Sequence, residues 1–244
     1  MIRIGVYTDL FISDLHCGSI YFDILSYEKV LERLKKEEIK VLNLHLLGDL
    51  IDGKFNHQGQ LYESFPIDIQ IQILESSISK LIEIVEPLFI FILPGNHDRK
   101  YGINLLDIFV ERLKGRYGKI EIKYFRDNLY YTDKFKLIIH GIKGLKGSDY
   151  TGFTPSLLNN LSNIAMVYNE YVRYIVSGHF HTFSMVYYHG YNMLLVPSFY
   201  YGERPLREVR GVVLLDETDG RVKPVLVSPS KREEIIDYWR SKFK

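Results

Sequence analysis

Five short clusters of carboxylate, amide and imidazole side chains recur in order along the 244-residue chain. They are Asp14-Leu15-His16, Gly48-Asp49 with Asp52, Gly95-Asn96-His97-Asp98, His140-Gly141 and Gly178-His179-Phe180-His181. Each closes a short apolar run of the kind that forms a β-strand. Oxygen and imidazole donors repeated at strand ends are what a hydrolytic site built on two divalent cations requires.

Asp14 and His16 are two residues apart, and in an extended chain i and i+2 point to one side. A carboxylate and an imidazole can then face the same ion. Asp49 follows Gly48, which lets the backbone bend and approach closely, and one carboxylate can bridge two cations. Asp52 either orients a ligand or caps the next segment. Asn96 offers a neutral oxygen where ligand charge must be limited. His97 cannot easily reach the ion of its neighbour, so it is placed to reach outward and donate a hydrogen bond or a proton. Asp98 can hold that imidazole in orientation. His140 closes a buried strand, and His179 and His181 repeat the i, i+2 spacing. Each motif alone reads equally well as a surface turn or a core histidine; their joint occurrence favours metal. A mixed nitrogen and oxygen donor set suits Mn, Fe or Zn better than Mg or Ca.

The elements that must position these groups alternate between strand and helix, which predicts an α/β fold of stacked layers. Strands are expected over 2–12, 41–47 and 88–93, and helices over 26–37, 67–85 and 104–113. Pro87 closes the second helix. Further strands are expected over 120–125, 129–132, 135–140 and 174–177, with a helix over 155–172. His189-Gly190 and Asp219-Gly220 mark hairpin turns between 185–188 and 192–196, and between 209–215 and 221–227. A terminal helix is expected over 231–243. Neither a repeat nor a low-complexity linker divides the chain, so residues 1–244 are expected to form one domain.

The composition narrows the classes. A hydrophobic fraction of 46% supports a sizeable core, and a formal net charge of +1 gives no global field for a polyanion or membrane. From Arg99 to Lys146, twelve Lys/Arg face five Asp/Glu, a surplus fitting either a nucleic-acid contact or a solvated face. Arg99 and Lys143 are the candidate substrate contacts there, with Asp52. The single cysteine, Cys17, rules out an intramolecular disulfide and reads as a small core residue. Asp9 lacks the histidine that would make a second Asp-x-His, and His45, inside a buried strand, reads as structural. With neither a signal-peptide pattern nor an apolar run of about 18 residues, a cytoplasmic protein is expected.

The ordered set Asp14-x-His16, Gly48-Asp49-x-x-Asp52, Gly95-Asn96-His97-Asp98, His140 and Gly178-His179-x-His181 resembles the calcineurin-like metallophosphoesterases, over residues 9–181. The resemblance implies a four-layer sandwich of two mixed β-sheets flanked by helices. It also implies one cation on Asp14, His16, Asp49 and His181, and a second on Asp49, Asn96, His140 and His179. His97 would assist the transition state or leaving group, with Asp98 behind it. Mn is the first expectation for the pair, with Fe, Zn or a mixed pair as alternatives. The implied activity is a hydrolase that attacks phosphorus with metal-activated hydroxide.

Two departures bear on substrate. Protein phosphatases of this superfamily carry Gly-Asp-x-Val-Asp-Arg-Gly and Gly-Asn-His-Glu, whereas here Gly53-Lys54 follows Asp52 and the third block ends in Asp98. The usual Asn-Pro-Gly-Ser block is replaced by Val196-Pro197-Ser198-Phe199-Tyr200. The blocks resemble the phosphodiesterase and nuclease branch, which implies a phosphodiester substrate, DNA or RNA among the candidates. A nucleotide or nucleotide-lipid pyrophosphatase is the enzymatic alternative, and a non-catalytic scaffold subunit the other.

Overall fold

A computed structural model describes residues 6–53, 64–100, 103–126, 129–132, 135–141, 153–168, 171–201 and 209–243. In chain order its elements are β1 (Val6–Ile12), α1 (Ile24–Lys36), β2 (Lys40–Leu47), α2 (Ile67–Val85), β3 (Phe89–Leu93), β4 (Arg99–Lys100), β5 (Ile103–Asn104), α3 (Leu106–Arg116) and β6 (Glu121–Tyr124). There follow β7 (Leu129–Thr132), β8 (Lys136–His140), α4 (Pro155–Tyr168), β9 (Tyr174–Gly178), β10 (Ser184–Tyr188), β11 (Tyr191–Leu195), β12 (Arg210–Asp216), β13 (Arg221–Val227) and α5 (Arg232–Lys242).

Two mixed sheets carry the fold. One has the order β13-β12-β1-β2-β3-β6, the other β10-β11-β9-β8-β7. β1, β2, β3 and β6 run parallel, as do β8, β9 and β11. Alternation along each strand sorts side chains into three cores. Phe11, Leu47, Phe91, Leu93, Ile138, Val176, Leu194, Val213 and Leu215 fill the space between the sheets. Leu10, Ile12, Leu44, Leu46, Ile90 and Ile92 face the other way, toward α1, α2 and α3. Leu137, Ile139, Ile175, Met193 and Leu195 pack against Leu157, Leu161 and Ala165 of α4. Burying each large apolar side chain contributes roughly 1.5–3 kcal/mol, so the sandwich that aims the strand ends is held on both faces.

The inter-sheet layer also contains a charged cluster. The Lys136 ammonium lies 3.0 and 2.9 Å from the two Asp9 carboxylate oxygens and also pairs with Glu217. His45 Nε2 is 2.7 Å from Asp9 Oδ1. Its ring is stacked between Phe11 and Phe91, at 4.6 and 4.9 Å. Asp9, His45 and Lys136 are fully buried. His45 is thus structural, as the sequence suggested, and Asp9 serves the core rather than a metal. Cys17 is likewise buried in the helix-side core.

The elements differ from expectation mainly at their ends. α1 begins at Ile24 rather than Ser26, because Asp23 Oδ1 accepts a hydrogen bond from Ser26 N–H (3.0 Å) and caps the helix. α3 runs over Leu106–Arg116 instead of 104–113, since Arg99–Lys100 and Ile103–Asn104 pair as a short antiparallel ribbon ahead of it. α4 ends at Tyr168. The two hairpins form where expected, with His189 and Gly190 both at positive φ. Among the described residues, no helix is long and apolar enough to cross a membrane.

Candidate metal centre

Asp14, Asp49 and Gly95 lie two residues past the ends of the parallel strands β1, β2 and β3, and β8 and β9 end at His140 and Gly178. The ends of both sheets meet. The His140 Nδ1–H donates to the Leu47 carbonyl at 2.5 Å. A Cβ on Gly178 would fall 2.0 Å from Ser13 Oγ, so only glycine allows this approach of the two sheets. Gly95 is under the same constraint, since a Cβ there would lie 2.1 Å from Asp49 Oδ1. Carboxyl ends of parallel strands are where open α/β sheets hold ligands.

The local backbone is strained in a consistent way. Asp14, His16, Asp49, His179 and His181 all have positive φ, between 47° and 79°. A non-glycine residue in this region costs of order 1–3 kcal/mol and persists only where the surroundings enforce it. Here they do. Asp14 N–H donates to Gly48 O (3.0 Å), His16 N–H to Asp49 O (2.9 Å) and His179 N–H to Asp14 Oδ2 (2.8 Å). The extended-chain expectation for Asp14 and His16 is therefore replaced by left-handed turns. They still converge, whereas His179 and His181 diverge to different groups.

Three three-residue groups among the described residues have the spacing of a cation shell, one of them His16, Asp52 and His97; the other two fall within the sequence-based ligand sets. Asp14, His16 and His181 form one of these two, and Asp49, His140 and His179 the other; donor atoms within each lie within 4.8 Å. Asp49 stands between them. Its Oδ2 is 3.2 Å from His140 Nε2 and 4.0 Å from His16 Nε2, while its Oδ1 accepts the His97 N–H at 2.7 Å. Asn96, with an exposed side chain, immediately precedes His97, whose amide makes the last of these contacts.

The donor set fits divalent cations. Asp14, His16, Asp49 and His140 are all buried. His16 Nε2 is buried and has no hydrogen bond among the described residues. Its other nitrogen, Nδ1, lies 3.3 Å from Asp52 Oδ1. His140 Nδ1 must carry hydrogen, because its partner is a carbonyl. Both rings thus turn Nε2 inward, the arrangement by which outer groups orient metal-binding imidazoles.

These contacts correct two sequence-based expectations. A substrate contact at Asp52 needs an exposed carboxylate, but Asp52 is 1% exposed and engaged by His16 and Ser64. Asp98 does not reach the His97 ring. It accepts N–H groups from Leu50 (3.0 Å), Ile51 (3.1 Å) and Gly95 (2.8 Å), tying the Asp49 loop to the Asn96 loop. The His97 ring instead meets the Asp52 carbonyl through Nδ1, at 2.7 Å. Arg99 is exposed on the β4–β5 ribbon. Lys143 lies outside the described residues.

Electrostatics follow from this crowding. Burial pushes the Asp14 carboxyl up, but the His181 imidazole 3.1 Å away overrides it and leaves the pKa at about 2. Asp49 is held far below the carboxylate range against its burial, chiefly by His140. Burial, reinforced by the Asp49 charge, lifts Asp98 to about 6 against its backbone hydrogen bonds. Burial alone would lower His140, yet Asp49 raises it to about 10. His181 is raised for the same reason, by Asp14.

A pH dependence follows. In the metal-free protein the raised His140 pKa contributes stability that is fully present below about pH 6.5 and lost as pH rises toward about 10. A cation can use His140 Nε2 only after that proton leaves. Calorimetric titration of Mn²⁺ at pH 7 in buffers of different ionisation enthalpy should show net proton release, with affinity rising with pH. Buffer-independent heats would show that His140 is not a ligand.

A pair of sheets whose strand ends gather two adjacent Asp/His groups defines a metallophosphoesterase architecture. Residues 10–183 match the family model described as calcineurin-like phosphoesterase, and the chain belongs to that family. No curated protein sequence matches it. Among solved structures it is similar to a hypothetical protein of Pyrococcus horikoshii, with a TM-score of 0.53 and 12% identity over 98% of this chain and 94% of that one. It is also similar to an archaeal phosphodiesterase, with a TM-score of 0.50 and 14% identity over 90% and 99%. A zinc complex of Vps29 from Entamoeba histolytica aligns at a TM-score of 0.46, with 15% identity over 90% and 97%. Identities this low speak to the fold.

Proposed function

We propose that the chain is a phosphodiesterase that uses two divalent cations, with Mn²⁺ the first choice and Fe, Zn or a mixed pair as alternatives. The observation that carries this reading is the position of Asp49 Oδ2 between His140 Nε2 and His16 Nε2, each belonging to a separate Asp/His group. Asp14, His16, Asp49 and His181 would hold one ion, and Asp49, Asn96, His140 and His179 the other. When bound, such ions supply Lewis acidity toward a phosphoryl oxygen and the attacking water.

The chain's own groups do the rest. Asp52 holds His16 by Nδ1 and Leu47 holds His140 by Nδ1, so neither ring has to reorganise. Asp98 fixes the loop that carries Asn96 and His97. With Nδ1 donating to the Asp52 carbonyl, His97 has Nε2 left to face substrate. It protonates or stabilises the departing oxygen when the ring carries both hydrogens.

The preference for diesters rests on the absent protein-phosphatase arginine and on the short Asp98. The basic surplus lends a polymer substrate less support than its count suggests. Arg112 pairs with Glu75, Lys114 with Glu111 and Lys123 with Glu121, while Arg116 donates to Ser79. A small diester or a nucleic-acid end therefore suits the site better than a long track. The test is a panel on the Mn²⁺-loaded protein: bis-p-nitrophenyl phosphate, p-nitrophenyl phosphate, single-stranded DNA, RNA and a nucleoside diphosphate ester. Diesters should turn over faster than the monoester, and chelation should abolish the activity. Faster monoester hydrolysis would contradict the diester assignment.

A further inference from the structure

We infer that Tyr200 and Tyr21 form an aromatic platform for a nucleobase of the substrate, with Arg232 supplying a cation beside it. This rests on the phosphodiesterase reading and narrows it to nucleoside-bearing diesters.

The segment around Tyr200 is clamped to the loop after β1. Phe199 N–H donates to Asp14 O (3.1 Å), Asp23 N–H to Phe199 O (2.7 Å) and Tyr201 N–H to Tyr21 O (2.8 Å). Trp239 of α5 fixes the same loop by donating from Nε1 to Phe22 O (2.9 Å). Phe199 is fully buried and packs edge-on to Tyr27 at 5.2 Å. Its neighbour Tyr200 lies at the metal-ligand group instead, with its ring 4.4 Å from that of His16 and 5.7 Å from that of His181. Tyr21 stands perpendicular to Tyr200 at 6.3 Å, and both rings are half-buried. The Arg232 guanidinium lies 4.9 Å from the Tyr21 ring centre and donates to its hydroxyl at 2.8 Å. Arg232 is the exposed first residue of α5, so its charge is available to solvent.

Aromatic faces with a guanidinium alongside hold bases and the phosphates that flank them, and stacking tolerates any base. Here the rings adjoin the residues proposed to receive the scissile phosphate. The plainer role for Tyr200 is to hold the His16 ring. That role would affect every substrate equally. A platform affects only those carrying a base.

The experiment compares two esters with one leaving group on the Mn²⁺-loaded protein: thymidine 5′-(p-nitrophenyl phosphate) and methyl p-nitrophenyl phosphate. Wild type should favour the thymidine ester in kcat/KM by about 10-fold or more, the range base stacking provides. Tyr200→Leu and Tyr21→Leu should each drive that ratio toward one, and Tyr200→Phe should keep it. A wild-type ratio near one would overturn the platform, as would a ratio unchanged in both leucine variants. Binding of thymidine 5′-monophosphate against methyl phosphate, by calorimetry on the same proteins, gives a readout without turnover. The nucleotide should bind more tightly to wild type and lose that advantage in Tyr21→Leu; equal binding to wild type would overturn the platform. If neither ester is hydrolysed, the phosphodiesterase reading fails, and the calorimetry still decides the platform.

Discussion

Asp49→Ala is expected to be the most damaging single substitution in the chain. It should cost at least one bound cation and reduce turnover by more than the roughly 10–100-fold typical of losing a supporting contact to a metal ligand. Asp49 Oδ2 lies within 4.0 Å of an imidazole nitrogen from each of the two Asp/His groups, so its removal opens both. Its Oδ1 also holds the His97 amide, 2.7 Å away. Asp49→Asn separates these effects, since an amide oxygen can still accept from His97 while the negative charge is gone. Metal analysis and steady-state rates on both variants are the measurements. Near-wild-type metal content and rate in Asp49→Ala would remove Asp49 from the centre.

His97→Ala is expected to lower the rate by roughly 10²–10⁴-fold, the range of a positioned acid or base, while both cations stay bound. The ring meets that of His16 edge-on at 4.6 Å, with 25% of its side chain exposed and Nδ1 committed to the Asp52 carbonyl. The competing possibility is specific. His97 also groups with His16 and Asp52 at metal-ligand spacing. Loss of an ion in His97→Ala would make it a ligand, and an unchanged rate would exclude it from the reaction.

The strands that carry the site were readable because parallel strands, buried on both faces, are continuous apolar runs. Ile90–Leu93 and Leu137–Ile139 are such runs, and Leu44–Leu47 is one broken only by His45; each is followed within three residues by a candidate ligand. Helix bodies were readable from their periodicity, but the start of α1 depended on Asp23 acting as a cap. The β4–β5 ribbon is only two residues per strand, too short to leave a pattern.

Within the site, residue types were legible and side-chain directions were not. Nothing local in Asp14-Leu15-His16 announces left-handed backbone, because hydrogen bonds from the Asp49 loop impose it. Asp98 is adjacent to His97 in sequence, yet its carboxylate is drawn to the amides of Leu50 and Ile51, 48 and 47 residues away, and of Gly95, and three donors outcompete one ring. The pairing of Asp9 with Lys136 spans 127 residues, and only the stacking of the sheets brings them together. Ser198-Phe199-Tyr200-Tyr201-Gly202 reads in the sequence as a stretch of plausible substrate contacts, but which of its rings meets His16 is set by the hydrogen bonds that clamp Phe199 to Asp14 and Asp23.

The most direct test is to count and locate cations in the Mn²⁺-loaded protein, by metal analysis at saturation and anomalous diffraction. Two ions per chain about 3.5–4 Å apart, with Asp49 touching both, is the expected result. A single ion, or two ions that do not share Asp49, would contradict the dinuclear centre.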